Sequence, residues 1–121
     1  MAKRRWAVPF PRFDHSPTDQ KCRRKLAAIA WDRESRVEIH KLADAIAELD
    51  AGVLSPHDVN DRIHNFHNGV SRELWSQYSQ SDSDVAVYRA HYDGVLTDDD
   101  LTNATEGVRD GIRQFEDIFA N

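Results

Sequence analysis

The stretch 16-SPTDQKCRRKLAAIAWDRESRVEIHKLADAIAELDAG-52 decides the fold. It opens with the grammar of a helix start. Ser16 can cap, Pro17 suits the first helical position, where an N–H would go unpaired anyway, and Asp19 faces the positive end of the helix dipole. Between Thr18 and Asp50 there is neither proline nor glycine, and Gly52 offers the left-handed conformation that ends a helix. The stretch therefore predicts one helix of roughly 50 Å at 1.5 Å per residue. Its apolar residues fall in two stripes. Cys22, Leu26, Ile29 and Val37 share one face, and Ala28, Trp31, Ile39, Leu42, Ile46 and Leu49 lie nearly opposite. Since the helices that follow read as shorter, one half should overhang. The expectation is that the Cys22/Leu26/Ile29 face packs on a second copy of the chain.

Downstream the same signals recur. Ser55-Pro56-His57-Asp58 opens a helix expected over 56–80, with Val59, Ile63, Phe66, Val70 and Leu74 on one face and Gly69 inside it at a cost of about 1 kcal/mol. A short helix is expected over 84–93, with Val85, Tyr88 and Tyr92 on one side. A last one is expected over 98–119, capped at Thr97, with Leu101, Ala104, Val108, Ile112, Phe115 and Phe119 inward. Gly107 and Gly111 would allow a close helix approach on its flank. Asp50-Ala51-Gly52-Val53-Leu54-Ser55 resembles Asp93-Gly94-Val95-Leu96-Thr97 as a weak internal repeat: glycine stop, Val-Leu plug, new cap. The predicted architecture is all-α, a bundle of about four helices built from αα-hairpins. Residues 16–121 form one domain, and 1–15 form an extended basic and aromatic arm carrying Trp6, Phe10 and Phe13, where Pro9 and Pro11 forbid a helix.

Of 121 residues, 40% are hydrophobic and 31% charged, a globular rather than a disordered balance. No apolar run reaches the roughly 18 residues a bilayer span needs, and Trp6-Ala7-Val8-Pro9-Phe10-Pro11 is too short for a secretory core. The single cysteine, Cys22, excludes an internal disulfide and suits a reducing compartment, so a cytoplasmic protein is expected. The net charge of −5 conceals a split: residues 1–41 carry eleven Lys/Arg against five Asp/Glu, and the rest five against sixteen. A basic arm folded over acidic surface accounts for this, as would an arm offered to nucleic acid through Lys3, Arg4, Arg5, Arg23 and Arg24.

Few constellations suggest chemistry. Asp93 to Asp100 matches the second half of a calcium loop, but Arg89 and His91 stand where leading carboxylates belong. His57, Asp61 and His64 fall in one stripe of the second helix, continued by Asn68 and Trp75. This set could ligate a metal if His67 or His40 joined it, although no Glu-x-x-His pair accompanies it. Arg62-Ile63-His64-Asn65-Phe66-His67 resembles the Arg-x4-His motif of the HEPN-type helical ribonucleases. That resemblance implies Arg62 and His67 as a catalytic pair acting on phosphate and leaving group. Cys22 has basic neighbours but sits in the Leu26/Ile29 stripe. The expected function is a non-enzymatic interaction module, a regulator or adaptor. It would need no cofactor, self-associate through Cys22, Leu26, Ile29 and Trp75, bind a further protein, and have no membrane partner.

Overall fold

The computed structural model describes residues 16–79 and 84–120; the arm, with Lys3, Arg4 and Arg5, lies outside them. Helix α1 (Pro17–Asp50) is unbroken over 34 residues. Ser16 Oγ accepts the Asp19 N–H at 3.0 Å, filling one of the donors a helix start leaves open. At the other end Gly52 takes φ +79. The Val53 N–H then reaches back to the Glu48 carbonyl at 2.8 Å, and that of Gly52 to Leu49 at 3.1 Å, a Schellman closure that only glycine adopts without strain.

Ser55 and Asp58 form a reciprocal capping box at the start of α2 (Pro56–Asn65). A π turn (Phe66–Val70) joins α2 to α3 (Ser71–Ser79) without a break in helical hydrogen bonding. Its cause is in the spacing. Phe66, Val70, Leu74 and Tyr78 follow at four residues each, so in a regular helix they would drift by about 40° per step. One extra residue in a π turn sets the register back by about 100°. Val59, Leu74 and Tyr78 are thereby all buried on one side of the rod.

Residues 56–79 run back antiparallel to α1 for about 36 Å, which ends them beside the middle and N-terminal half of α1. The remaining helices pack there. Leu26, Ala27 and Ala30 are buried with Leu74, Tyr78, Leu96, Val108, Ile112 and Phe115, and Cys22 and Ile29 pack against that core. The expectation that the N-terminal half of α1 overhangs is thus reversed. Leu26, 4% exposed, faces its own chain, and Leu26→Asp would unfold the domain rather than split a dimer. The part that projects beyond the main core is the distal end of the α1–α2 hairpin, where Ala45 and Val59 are buried between the two helices but Val37, Ile39, Ile46 and Val53 are exposed.

Helix α4 (Asp84–Tyr92) is central, with Ala86 through Ala90 all buried. It ends on a second Schellman closure, Gly94 at φ +83 with the Val95 N–H bonded to the Ala90 carbonyl at 2.8 Å. Leu96, 1% exposed, plugs the core as the repeat suggests, whereas Val53 at the distal tip is 70% exposed. The last helix starts later than its sequence reading. Thr97 and Asp100 cap only a 3-10 turn (Asp98–Leu101), and Thr105 caps α5 (Glu106–Phe119). Among the described residues there is no strand.

Asp100 also clamps α1. Arg33 grips it in bidentate fashion at 2.6 and 2.8 Å and donates to the Val95 carbonyl at 2.9 Å. The guanidinium, with the Thr97 N–H, holds the Asp100 carboxyl well below the usual carboxylate range. A depressed native pKa contributes stability above the unfolded value, which is lost as pH falls below about 4. Asp100→Asn should therefore lower stability by about 1–2 kcal/mol at neutral pH and flatten the acid limb of a stability–pH curve, read by urea unfolding.

Candidate interaction surface

Once the core is filled, the second stripe of α1 is left largely open. Trp31, Ile39 and Ile46 are 37%, 52% and 49% exposed, and Ala28 is exposed with them. Leu42 and Leu49, along one edge, are half covered. Residues 28, 31, 35, 39, 42 and 46 fall within about 80° of each other around the axis. Trp75 of α3, 63% exposed, extends this face, its ring edge-on to Trp31 with centroids 6.1 Å apart and planes at 79°. The π turn brings it there. In a regular helix Trp75 would share the His57/His64 stripe; the offset turns it toward α1.

The histidine stripe stays on the surface. His57 lies 3.6 Å from Asp61, both exposed, and Asn68 Nδ2 is 3.3 Å from His64 Nδ1. His40 and His67 are exposed on other segments, and no three His, Cys, Asp or Glu side chains converge as a metal site among the described residues. Arg62 faces Glu48 of α1 at 3.7 Å, and no hydrogen bond or ion pair joins it to His67. Arg23 is buried, 6% exposed, which removes it from a surface set with Arg24. Of the residues expected at an interface, Trp75 is on open surface, while Cys22, Leu26 and Ile29 belong to the core. Trp31, its partner, belongs to the second apolar stripe of α1, which the sequence alone does not mark as surface.

A buried polar network also escaped the sequence reading. Arg89, 7% exposed, donates to the Tyr78 hydroxyl at 2.7 Å, to Asp93 at 2.8 Å and to Glu34 at 3.4 Å. Tyr78 in turn donates to Glu34 in a short bond. Burial, reinforced by that bond to Glu34, pushes the tyrosine hydroxyl well above its ordinary range. The arginine that spoils the calcium-loop pattern is thus a core tie between α4, α3 and α1. Nearby, His91 is held between Asp98 at 3.0 Å and Glu116 at 3.3 Å, linking α4 to the 3-10 turn and α5. Its partners lie 7 and 25 positions away, and only folding brings them together.

The structure defines an all-α protein built of helical hairpins, with no helix among the described residues long and apolar enough to cross a membrane. No family model matches the chain, and neither the curated proteins nor the solved structures give a significant match.

Proposed function

We propose that the protein is a helical protein-interaction module, a regulator or adaptor that binds through the Trp31/Trp75/Ile39/Ile46 face. The observation that carries this reading is the edge-on pair of tryptophans in continuity with an exposed aliphatic stripe. Contiguous apolar surface of this kind is disfavoured unless something covers it, and tryptophan is enriched where proteins meet. The polar histidine stripe offers less: its side chains are solvated and do not converge on a common point.

The reading is tested in living cells by placing a photo-crosslinking phenylalanine analogue at position 39 or 46, with position 36 as a control. Arg36, paired with Asp32 at 2.6 Å, lies on the polar side of the same helix. Polypeptide adducts should form from 39 and 46 and be at least about tenfold weaker from 36, the gap expected between a buried interface core and a solvated flank. Equal labelling at all three positions, or none, would remove the support for this face.

A further inference from the structure

Helix α1 is polarised along its length. Residues 21–25 hold Lys21, Arg23, Arg24 and Lys25, while residues 42–50 hold Asp44, Glu48 and Asp50 and no Lys or Arg. Lys21, Arg24 and Lys25 are exposed, as are Asp44 and Asp50. For the helix alone the acidic end is unfavourable. Glu48 and Asp50 face the negative pole of the dipole, and no basic residue stands in the last turn. This distribution is complementary to one kind of neighbour, a helix of the same charge pattern running the opposite way.

The open stripe fits that neighbour in shape. Its positions 28, 31 and 35 recur as 39, 42 and 46, an eleven-residue period that keeps the face in line along a nearly straight helix. A two-fold axis placed between residues 35 and 39 sets Ala28 against Ile46 and Ser35 against Ile39, with Trp31 falling beside Leu42. The Ala28–Ile46 and Ser35–Ile39 layers then meet large with small, as close packing favours. The same register carries Arg24 to Asp50 and Lys21 past the end of the partner's α1. A parallel pairing would instead stack Lys21, Arg24 and Lys25 on their own copies.

We infer that the occupant of this face is a second copy of the chain, its α1 antiparallel to the first, joined by the Ala28–Ile46 stripe and closed at each end by Arg24–Asp50 pairs. This rests on the interaction reading above and adds the partner's identity. A symmetric, self-complementary contact of this kind forms a closed pair rather than a filament.

Light scattering on the full chain should show a dimer at roughly ten micromolar and above. Ile39→Asp sets like charges against each other at the two-fold. It should weaken association at least about a hundredfold with helicity kept, since position 39 is already half solvated. Asp50→Lys and Arg24→Glu should each weaken it about fivefold, and the double swap should restore it, because each new lysine then meets a new glutamate. In a Cys22→Ala background, chains with Ala28→Cys should form disulfides with chains carrying Ile46→Cys and not with each other. A monomer throughout, a 28–28 disulfide, or a double swap weaker than either single change would each overturn the antiparallel pair. If the cell adducts at 39 and 46 contain a different polypeptide, the interaction reading stands and the self-association fails. If no adducts form and the chain is monomeric, both fail.

Discussion

Arg89→Ala is expected to destabilise the fold by about 3 kcal/mol and to lower the melting temperature by roughly 10–15 °C. The guanidinium ties three elements at once: Tyr78 on α3, Glu34 on α1 and Asp93 at the end of α4. Removing one member of a buried ionic network leaves the others desolvated and unpaired, which costs more than the network contributed when intact. The Glu34 and Asp93 side chains keep 24% and 41% of their exposure, so water takes up part of the loss and the effect falls at the lower end of the range for fully buried groups. Denaturant unfolding measures it, and a loss under about 1 kcal/mol would show the network to be solvated in solution. An alkaline signature accompanies it. With the native Tyr78 pKa raised, its contribution is complete below the unfolded value of 10.0 and is lost as pH climbs beyond it. Tyr78→Phe should remove that slope while leaving the acid limb unchanged.

Two glycines in helices should respond with opposite signs to the same substitution. Gly111 is buried where α5 crosses α4, and a Cβ there would fall within the van der Waals envelope of the Tyr88 ring. That ring is itself fully buried, so it has no solvent to swing into. Gly111→Ala should cost about 2 kcal/mol or more, overpacking outweighing the roughly 1 kcal/mol of helix propensity that alanine adds. At Gly69 in the π turn nothing lies within 4 Å and φ is not positive. Gly69→Ala should therefore stabilise by about 0.5–1 kcal/mol. Thermal melts of the two variants side by side decide the matter; equal shifts would mean that the α4–α5 crossing is looser than described. Gly107 stands between these cases, since a Cβ there would meet only the end of the Asp19 side chain, which can turn aside.

The candidate surface was partly legible before folding and partly not. Trp75 stood out as an apolar residue outside its helix's main face. Its partner did not, because Trp31 lies in a stripe that reads as core as readily as surface. The signal that separates them is length. Residues 56–79 cover about 36 Å of the roughly 50 Å of α1, starting from its C-terminal end, so α4 and α5 must close its N-terminal half and its C-terminal half keeps only α2 on one side. The run of four-residue steps from Phe66 to Tyr78 drifts out of line in the regular helix expected there, and the π turn supplies the correction. Thr97 misled because a Thr-x-x-Asp cap serves a 3-10 turn as well as an α-helix, and the second cap at Thr105 follows within eight residues.

Local chemistry determined the helical class, the unbroken α1, the glycine closures at Gly52 and Gly94, and the caps at Ser16 and Ser55. Each depends on groups within five residues of one another, and their energies are present in the isolated segment. Tertiary structure alone decided which of two equally apolar stripes on α1 becomes core, and that Arg23 and Arg89 go inside. It also decided that His91 sits between two carboxylates and that Trp31 and Trp75 meet at the surface. A stripe is buried by whatever packs on it, and that depends on where α2, α3, α4 and α5 lie along α1, a property of summed lengths and turn geometry that no local pattern of residues contains.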